Sequence, residues 1–176
     1  IGIMFGPLLM IGMQYATCGL FNKEIVWVSI AVGLLVTNIV YSHAVLDLKA
    51  DEQAGKMTFA RLLKTRWAML LFSGVFNLLP FVMLIVGVVC GQLHWAYLFV
   101  LPLVPMGIYI IYSLAAHLEN KPIPFEPRWW MGPMGNFEKY RAANMDWFLI
   151  RWLVVRNLVT FFCLILTVVN IIFTVI

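Results

Sequence analysis

The chain has 176 residues, of which 63% are hydrophobic and only 11% charged, with a formal net charge of +4. Soluble domains average roughly 45–50% apolar and about 25% charged residues, so this composition excludes an ordinary soluble protein. The net charge gives no reason to expect a nucleic-acid partner. The apolar runs are continuous and about 20 residues long, unlike the ~10-residue alternating segments of a β-barrel. We therefore expect an all-α, polytopic transmembrane bundle that forms a single domain over residues 1–176.

Five apolar segments are predicted as transmembrane helices, at about residues 1–22, 25–46, 67–89, 95–118 and 146–176. Kinks are predicted at Pro7, Pro80, Pro102 and Pro105. Two polar loops, at about residues 47–66 and 119–147, separate the segments on one side. In the first loop Gly55 is a predicted helix stop, followed by a short helix over residues 59–64. In the second loop, prolines exclude a helix from the first half.

The basic residues are distributed very unequally between the two sides of the predicted bundle. Eleven of the 12 Lys and Arg residues lie in or beside the two loops, and only Lys23 lies on the opposite side. Cytoplasmic loops of membrane proteins carry an excess of Lys and Arg. We therefore expect both loops to face the cytoplasm. The membrane itself is predicted to be a bacterial inner membrane.

The candidate site lies where the second helix ends. Asp47 and Asp51 are four residues apart, so on a helix both carboxylates project from one face, and His43 lies one turn earlier on the same stripe. Carboxylates at the mouth of a membrane helix are expensive to place. They suit Mg²⁺, which is bound through one or two carboxylates with water and substrate phosphate completing its shell.

Basic residues follow the two aspartates within a few positions. Lys49, Lys56 and Arg61 are candidate ligands of a phosphate group beside a metal ion. An ordinary alternative is a solvated helix end, in which the two acids compensate nearby lysines. His43 has two open interpretations: it orients Asp47 or a substrate, or it is a hydrogen-bonded imidazole without a role in chemistry.

Three other polar residues of the apolar segments are interpreted without a role in chemistry. His94 and His117 stand at opposite ends of the fourth helix and are predicted to be interfacial residues rather than metal ligands. Arg151 lies near the start of the last helix and is predicted to extend its guanidinium to the membrane surface.

The pattern Asp47-x-x-x-Asp51-x-x-Ala54-Gly55-Lys56-x-Thr58 resembles the second aspartate-rich motif of the UbiA superfamily of intramembrane prenyltransferases. Its Ala-Gly-Lys-x-Thr end is most similar to the 1,4-dihydroxy-2-naphthoate polyprenyltransferases. The resemblance implies a fold of nine transmembrane helices around a cavity, of which this chain is the C-terminal half. It also implies that an N-terminal half with the first aspartate-rich motif completes the active site.

The resemblance implies a reaction as well. A polyprenyl group would pass from its diphosphate to an aromatic acceptor, 1,4-dihydroxy-2-naphthoate in menaquinone biosynthesis, with Mg²⁺ held by Asp47 and Asp51. Lys49, Lys56 and Arg61 would bind the diphosphate. The family usually has asparagine where this chain has Ser42-His43-Ala44, so other acceptors such as 4-hydroxybenzoate stay open. A transporter and a non-catalytic membrane subunit are the alternatives outside this enzyme class.

Overall fold

A computed structural model describes residues 1–121, 123 and 126–174 of the chain. Pro122, Pro124 and Phe125 of the second loop, and the predicted end of the last helix at Ile176, lie outside the described residues. Every regular element within the described ranges is helical. The α-helices among these residues are α1 Leu9–Cys18, α2 Lys23–Leu46, α3 Leu48–Gln53, α4 Phe59–Leu62, α5 Arg66–Val89, α6 Val104–Leu118, α7 Phe137–Ala142 and α8 Asp146–Thr174.

Four of the five predicted spans are confirmed as helices long and apolar enough to cross a membrane, within the described part of the chain. Three of them are α2, α5 and α8. The fourth runs from Trp95 to Leu118, and it begins as a 3₁₀-helix over Trp95–Leu103 before α6 takes over. The helical membrane bundle expected from composition is therefore present.

The first predicted span differs from a regular transmembrane helix. It opens as a π-helix over Met4–Leu8, which contains Pro7, and continues as α1 to Cys18. The next helix begins two residues before its predicted start, because the Asn22 side chain accepts a hydrogen bond (3.0 Å) from the backbone N–H of Glu24 and caps α2.

Small residues let the first segment approach α2 closely. A Cβ atom added to Gly6 would collide with backbone atoms of Ser29 and Gly33, and one added to Gly33 would collide with Gly2. Backbones that touch at this distance gain dispersion contacts, which drive helix association inside a bilayer.

The core lies where α2 meets α5 and α8, and α5 in turn packs on α6. Its largest fully buried side chains include Leu35, Leu84, Ile110, Leu158 and Phe162. Side chains of all four spans therefore meet in one apolar cluster, with the short helices α3, α4 and α7 at the end that carries the polar loops.

A pair of amides joins α2 to α5 near the middle of both helices. Asn38 and Asn77 are both fully buried, and each donates its side-chain N–H to the other's carbonyl oxygen, at 2.8 and 3.2 Å. Ser42 donates to Asn38, and Asn77 also donates to the backbone carbonyl of Ser73. Because hydrocarbon offers no water, these amides depend on each other for hydrogen bonds.

Contacts between charged and polar side chains link the two polar loops. Glu119 accepts from Arg66, at the start of α5, and from Lys121 (2.6 Å). Lys49 of the first loop donates to Asn120 of the second (3.0 Å). The hydrogen bond from Lys121, with the positive charge of Arg66, lowers the pKa of the Glu119 carboxyl below its ordinary value.

We expect Asn77→Ala to lower the free energy of unfolding by about 1–2 kcal/mol, because the Asn38 side-chain N–H then loses its acceptor inside the bundle. Asn38→Leu combined with Asn77→Leu should recover most of this loss, because neither polar group remains. Equilibrium unfolding in mixed detergent measures both changes. Asn136→Ala is the control, since Asn136 is exposed and its side chain makes no cap hydrogen bond. Equal stability of the Asn77→Ala and Asn136→Ala proteins would contradict the expectation.

The lowered pKa of Glu119 predicts a pH dependence of stability. A carboxyl with a depressed pKa contributes its full stabilisation above its ordinary pKa of 4.5, and loses it as the pH falls through the lower folded-state value. Below that ordinary pKa, Tm of the wild type should therefore fall more steeply with pH than Tm of Glu119→Gln. The matched control is Glu138→Gln, an exposed acid on α7, whose Tm should follow the wild-type curve. Parallel curves for Glu119→Gln and wild type would refute the loop tie.

Candidate functional site

The two aspartates lie at the junction between α2 and α3 and project toward the same side of the chain. Asp47 separates the two helices, yet the backbone N–H of Asp51 still donates to the Asp47 carbonyl at 2.8 Å, so the helical turn continues across the junction. Both carboxylates therefore face one cavity of about 430 Å³, called here the aspartate cavity. Its lining consists of Ile39, Val40, His43, Ala44, Asp47, Asp51, Lys56, Thr58 and Trp152.

His43 is bound directly to the first aspartate. Its Nδ1 lies 3.0 Å from Oδ2 of Asp47, one helical turn away, and its ring meets Phe148 of α8 edge-to-face at 5.3 Å. An imidazole nitrogen held by a carboxylate fixes the orientation of the ring. The observed contact is compatible with both interpretations of His43, as a residue that orients Asp47 and as a hydrogen-bonded imidazole without a role in chemistry.

The loop after α3 brings one predicted cation to the aspartates. Gly55 ends the helix with a φ of 68°, in the left-handed region that suits glycine, as the sequence predicted. The chain then turns so that the Lys56 N–H donates to the Asp51 carbonyl at 2.9 Å. Lys56 thus lies in the lining of the aspartate cavity together with both aspartates.

The other two predicted cations lie elsewhere. The Arg61 guanidinium donates to the backbone carbonyls of Lys56 and Asp51, so its observed contacts hold the shape of the loop. Lys49 lies on the opposite side of Asp47, in a second cavity. Of the three cations, the structure brings only Lys56 into the lining shared by both aspartates.

Thr58 is one of the residues that line the aspartate cavity, and its hydroxyl oxygen is buried. It stands just before α4, where Phe59 packs edge-on against Tyr41 and Phe72 and anchors the loop to α2 and α5. Within the described residues, its Oγ1 is the buried side-chain oxygen or nitrogen that has no hydrogen-bond partner. A buried hydroxyl without a partner costs roughly 1–3 kcal/mol, so a ligand that bonds to it would be favoured.

The side chains around the aspartates fit a hard divalent cation. No group of three or more His, Cys, Asp or Glu residues capable of holding a metal occurs in the described ranges. Two carboxylates and a hydroxyl without a partner are a poor set for zinc, which takes three or four nitrogen or sulfur ligands. They suit Mg²⁺, which uses one or two carboxylates and takes further oxygens from water and phosphate.

A larger cavity of about 890 Å³ lies on the other side of the His43–Asp47 pair. We call it the basic cavity, because three cationic side chains and two imidazoles line it against one carboxylate. Its lining consists of His43, Leu46, Asp47, Lys49, Ala50, Gln53, His117, Asn120, Lys121, Met145, Trp147, Phe148 and Arg151. It lies between the end of α2, the end of α6 and the start of α8.

The sequence did not predict the lining that α6 and α8 supply to this cavity. Arg151 was expected at the membrane surface, but only 4% of it is exposed, since its Nε donates to the Ser113 carbonyl and its Nη1 to that of Trp147. His117 stacks flat on Trp147, with ring centroids 5.4 Å apart. The sequence did contain one signal for this lining, namely a charged residue within an apolar helix. Such a residue is rarely placed there without a function.

Comparison with known proteins identifies the family of the chain. The sequence profile of the UbiA prenyltransferase family matches residues 1–130, which include both aspartates, the loop after them and His117. No curated protein and no solved structure matches the chain significantly. The profile covers well over half of the sequence, and the chain belongs to the UbiA prenyltransferase family.

Proposed function

We propose that the chain transfers a polyprenyl group from its diphosphate to an aromatic acceptor, with 1,4-dihydroxy-2-naphthoate as that acceptor in menaquinone biosynthesis. Family membership supports prenyl transfer within a lipid bilayer. The Ala54-Gly55-Lys56-x-Thr58 segment, which resembles the naphthoate enzymes, supports this acceptor over 4-hydroxybenzoate.

One observation carries the proposal: Asp47, Asp51, Lys56 and Thr58 line a single cavity. Two carboxylates repel a diphosphate, whereas a lysine attracts it. The two carboxylates can therefore adjoin a bound diphosphate only if a cation lies between them and the phosphates. We propose that Asp47 and Asp51 hold Mg²⁺. When bound, this ion would neutralise the charge that develops on the departing diphosphate.

The chain's own side chains supply the rest of the leaving-group site. Lys56 contributes a positive charge and Thr58 a hydrogen-bond donor to the diphosphate oxygens, and Lys49 approaches from the basic cavity. Arg61 supports the diphosphate by shaping the loop that presents Lys56. His43 keeps the Asp47 carboxylate oriented.

The chemistry is an electrophilic substitution on the acceptor ring. The allylic C–O bond breaks and its electron pair leaves with the diphosphate. The prenyl carbon then bonds to a ring carbon, which releases a proton, or carbon dioxide where it carries the carboxylate, and the ring regains aromaticity. Water would capture the allylic cation, so the site must be dry.

An apolar groove of about 500 Å³ continues from the aspartate cavity and shares Val40, Ala44 and Thr58 with it. Tyr41, Phe59 and Phe76 line the groove further along. Its composition suits the first isoprene units of the substrate, which would thus be buried next to the reacting bond.

We further propose that the protein resides in a bacterial inner membrane with the loops that carry the site on the cytoplasmic side. The excess of basic residues in those loops supports this orientation. The site would be completed by an N-terminal half with the first aspartate-rich motif, so every test uses the full-length encoded protein.

The first test replaces the two carboxylates. In lipid nanodiscs with a polyprenyl diphosphate, Mg²⁺ and 1,4-dihydroxy-2-naphthoate, Asp47→Asn and Asp51→Asn should each lower kcat/KM at least about 100-fold, because each removes charge from the proposed cation site. Product is measured by chromatography, and the wild type should lose activity when Mg²⁺ is chelated.

Glu52→Gln is the matched control, since Glu52 is an exposed acid in the same loop and lines neither cavity. It should retain wild-type activity. Product formation by both aspartate variants, or a rate that is independent of divalent cations, would refute the proposed role. Faster transfer to 4-hydroxybenzoate than to the naphthoate would refute the proposed acceptor.

The second test isolates the buried hydroxyl. Thr58→Val keeps the shape of the side chain, so the ligand-free protein should be at least as stable as the wild type, because an oxygen without a partner has been removed. The KM for the polyprenyl diphosphate should rise about 5- to 10-fold, corresponding to one lost hydrogen bond. A lower Tm with an unchanged KM would show that the hydroxyl serves the fold instead of the substrate.

A further inference from the structure

We propose that residues 129–135 form a re-entrant segment, which enters the membrane from the side of the polar loops, packs between α6 and α8, and presents Trp129 to lipid acyl chains. The partner of this surface is thus the hydrocarbon of the bilayer. Most of the segment lies beyond residue 130, where the match to the family profile ends.

Contacts between α8 and the fourth span define the thickness of the bundle. At the loop end, Trp147 stacks on His117 with ring centroids 5.4 Å apart. At the other end, Phe173 packs on His94 at 4.8 Å. The helical rise along either span gives about 39 Å between these two levels. A hydrocarbon core about 30 Å thick, centred on the bundle, therefore begins about 5 Å from the loop end.

The lipid-facing surface of the fourth span agrees with this position of the hydrocarbon. Trp95, Ile108 and Tyr112 are all more than half exposed, and they are distributed from one end of the span to near the other. A surface that is apolar over this length fits lipid and not water.

The re-entrant segment contacts two helices well inside that boundary. Trp130 meets Tyr109 of α6 edge-to-face, with ring centroids 5.2 Å apart. The Met131 carbonyl accepts a hydrogen bond (2.8 Å) from the Asn157 side chain of α8. By helical rise, Tyr109 lies about 12 Å and Asn157 about 15 Å from the loop end of the bundle. Both helices therefore place the segment about 7–10 Å inside the hydrocarbon.

Side chains of α8 supply the hydrogen bonds that an irregular backbone needs at this depth. Hydrocarbon offers no water, so non-helical backbone is tolerated there only where the protein itself satisfies its polar groups. Asn157 is 2% exposed, and its Nδ2 donates to the carbonyls of Met131 and Pro133. Arg156 also donates to the Pro133 carbonyl, at 3.0 Å. This pair of polar residues therefore holds the turn against an otherwise apolar helix.

The sequence of the segment suits a tight approach to α8. Met131 and Met134 are buried in the apolar core, and Pro133 has no backbone N–H to satisfy. Gly132 has a φ of 80° and a ψ of −170°, a conformation that is essentially restricted to glycine. A Cβ atom at this position would also lie 2.7 Å from the Phe161 ring. The turn can reach this depth only because residue 132 has no side chain.

Trp129 is left on the outer side of the segment. It is 93% exposed, whereas Trp130 is half-buried against α6. An indole gains free energy when its apolar surface leaves water, so lipid suits Trp129 better than solvent does. The preceding residue, Arg128, is exposed, and an arginine side chain is long enough to carry its charge toward the headgroups.

The depth of a spin label tests this placement. Trp129→Cys is made in the full-length protein with its native cysteines replaced by alanine, labelled with a nitroxide and reconstituted in lipid nanodiscs. Power saturation compares collisions with oxygen, which concentrates in lipid, and with a nickel chelate, which stays in water. Ile108→Cys, next to Tyr109 and 53% exposed, is the lipid reference. Arg141→Cys, exposed on α7, is the water reference.

The ratio of oxygen to nickel collisions at position 129 should be closer to that at position 108 than to that at position 141. A ratio closer to that of position 141 would overturn the proposal, because the segment would then lie in water. Infrequent collisions with both reagents would overturn it as well, because another part of the protein would then cover Trp129 in place of lipid.

Variants of the turn test how the segment is held. In the labelled Trp129→Cys protein, Gly132→Ala should lower the collision ratio toward the water reference, because the added methyl group meets Phe161 and displaces the turn. Gly135→Ala is the matched control, since its φ is also positive but a Cβ atom there meets no described atom within 4 Å. Its ratio should stay at the parent value.

Asn157→Leu provides a second route to the same result if Gly132→Ala does not fold. It removes the donor to both loop carbonyls, so the label at position 129 should again move toward water. An unchanged ratio in both Gly132→Ala and Asn157→Leu would overturn the hold of α8 on the re-entrant segment.

Discussion

The reciprocal hydrogen bonds between Asn38 and Asn77 fix how α2 lies against α5, and the site depends on that fit. Inside the bundle no water can replace the hydrogen bonds of these amides. A shift of either helix along the other would therefore break both bonds without compensation. Nearer the loops, the Tyr41 hydroxyl donates to the Met69 carbonyl at 2.6 Å and repeats the constraint. With both helices fixed, the loop between them begins and ends at set points, and from there Lys56 and Thr58 join Asp47 in the lining of the aspartate cavity.

Much of this arrangement can be predicted from sequence because it depends on local rules. Hydropathy fixed the four long spans, since about 20 apolar residues in helical form are what a bilayer accommodates. The spacing of Asp47 and Asp51 predicted their shared face, and Gly55 predicted the end of α3 through its tolerance of positive φ. Each of these inferences needed only residues within one or two turns of each other.

The features that could not be predicted depend on partners far along the chain. Arg151 was expected to reach the membrane surface, because nothing near it in sequence shows that the Ser113 carbonyl would hold its guanidinium inside. The orphaned oxygen of Thr58 depends on the anchoring of Phe59 between α2 and α5. The contact of Asn38 with Asn77 likewise joins residues 39 positions apart. Tertiary packing decides these cases, and one sequence carries no direct record of it.

The span from Trp95 to Leu118 combines two types of helix, and this combination determines which side of α6 faces its neighbours. A 3₁₀-helix advances about 120° per residue and an α-helix about 100°, so nine residues of 3₁₀-helix turn the following α6 by roughly half a revolution. The 3₁₀ segment also rises about 2.0 Å per residue instead of 1.5 Å, which lengthens the span by about 4.5 Å. A uniform α-helix from the same start would present the opposite side of α6 to its neighbours and end short. The 3₁₀ segment, which contains a proline and lies at the opposite end of the span, thus determines how far along the helix axis His117 lies and in which direction it points when it meets Trp147.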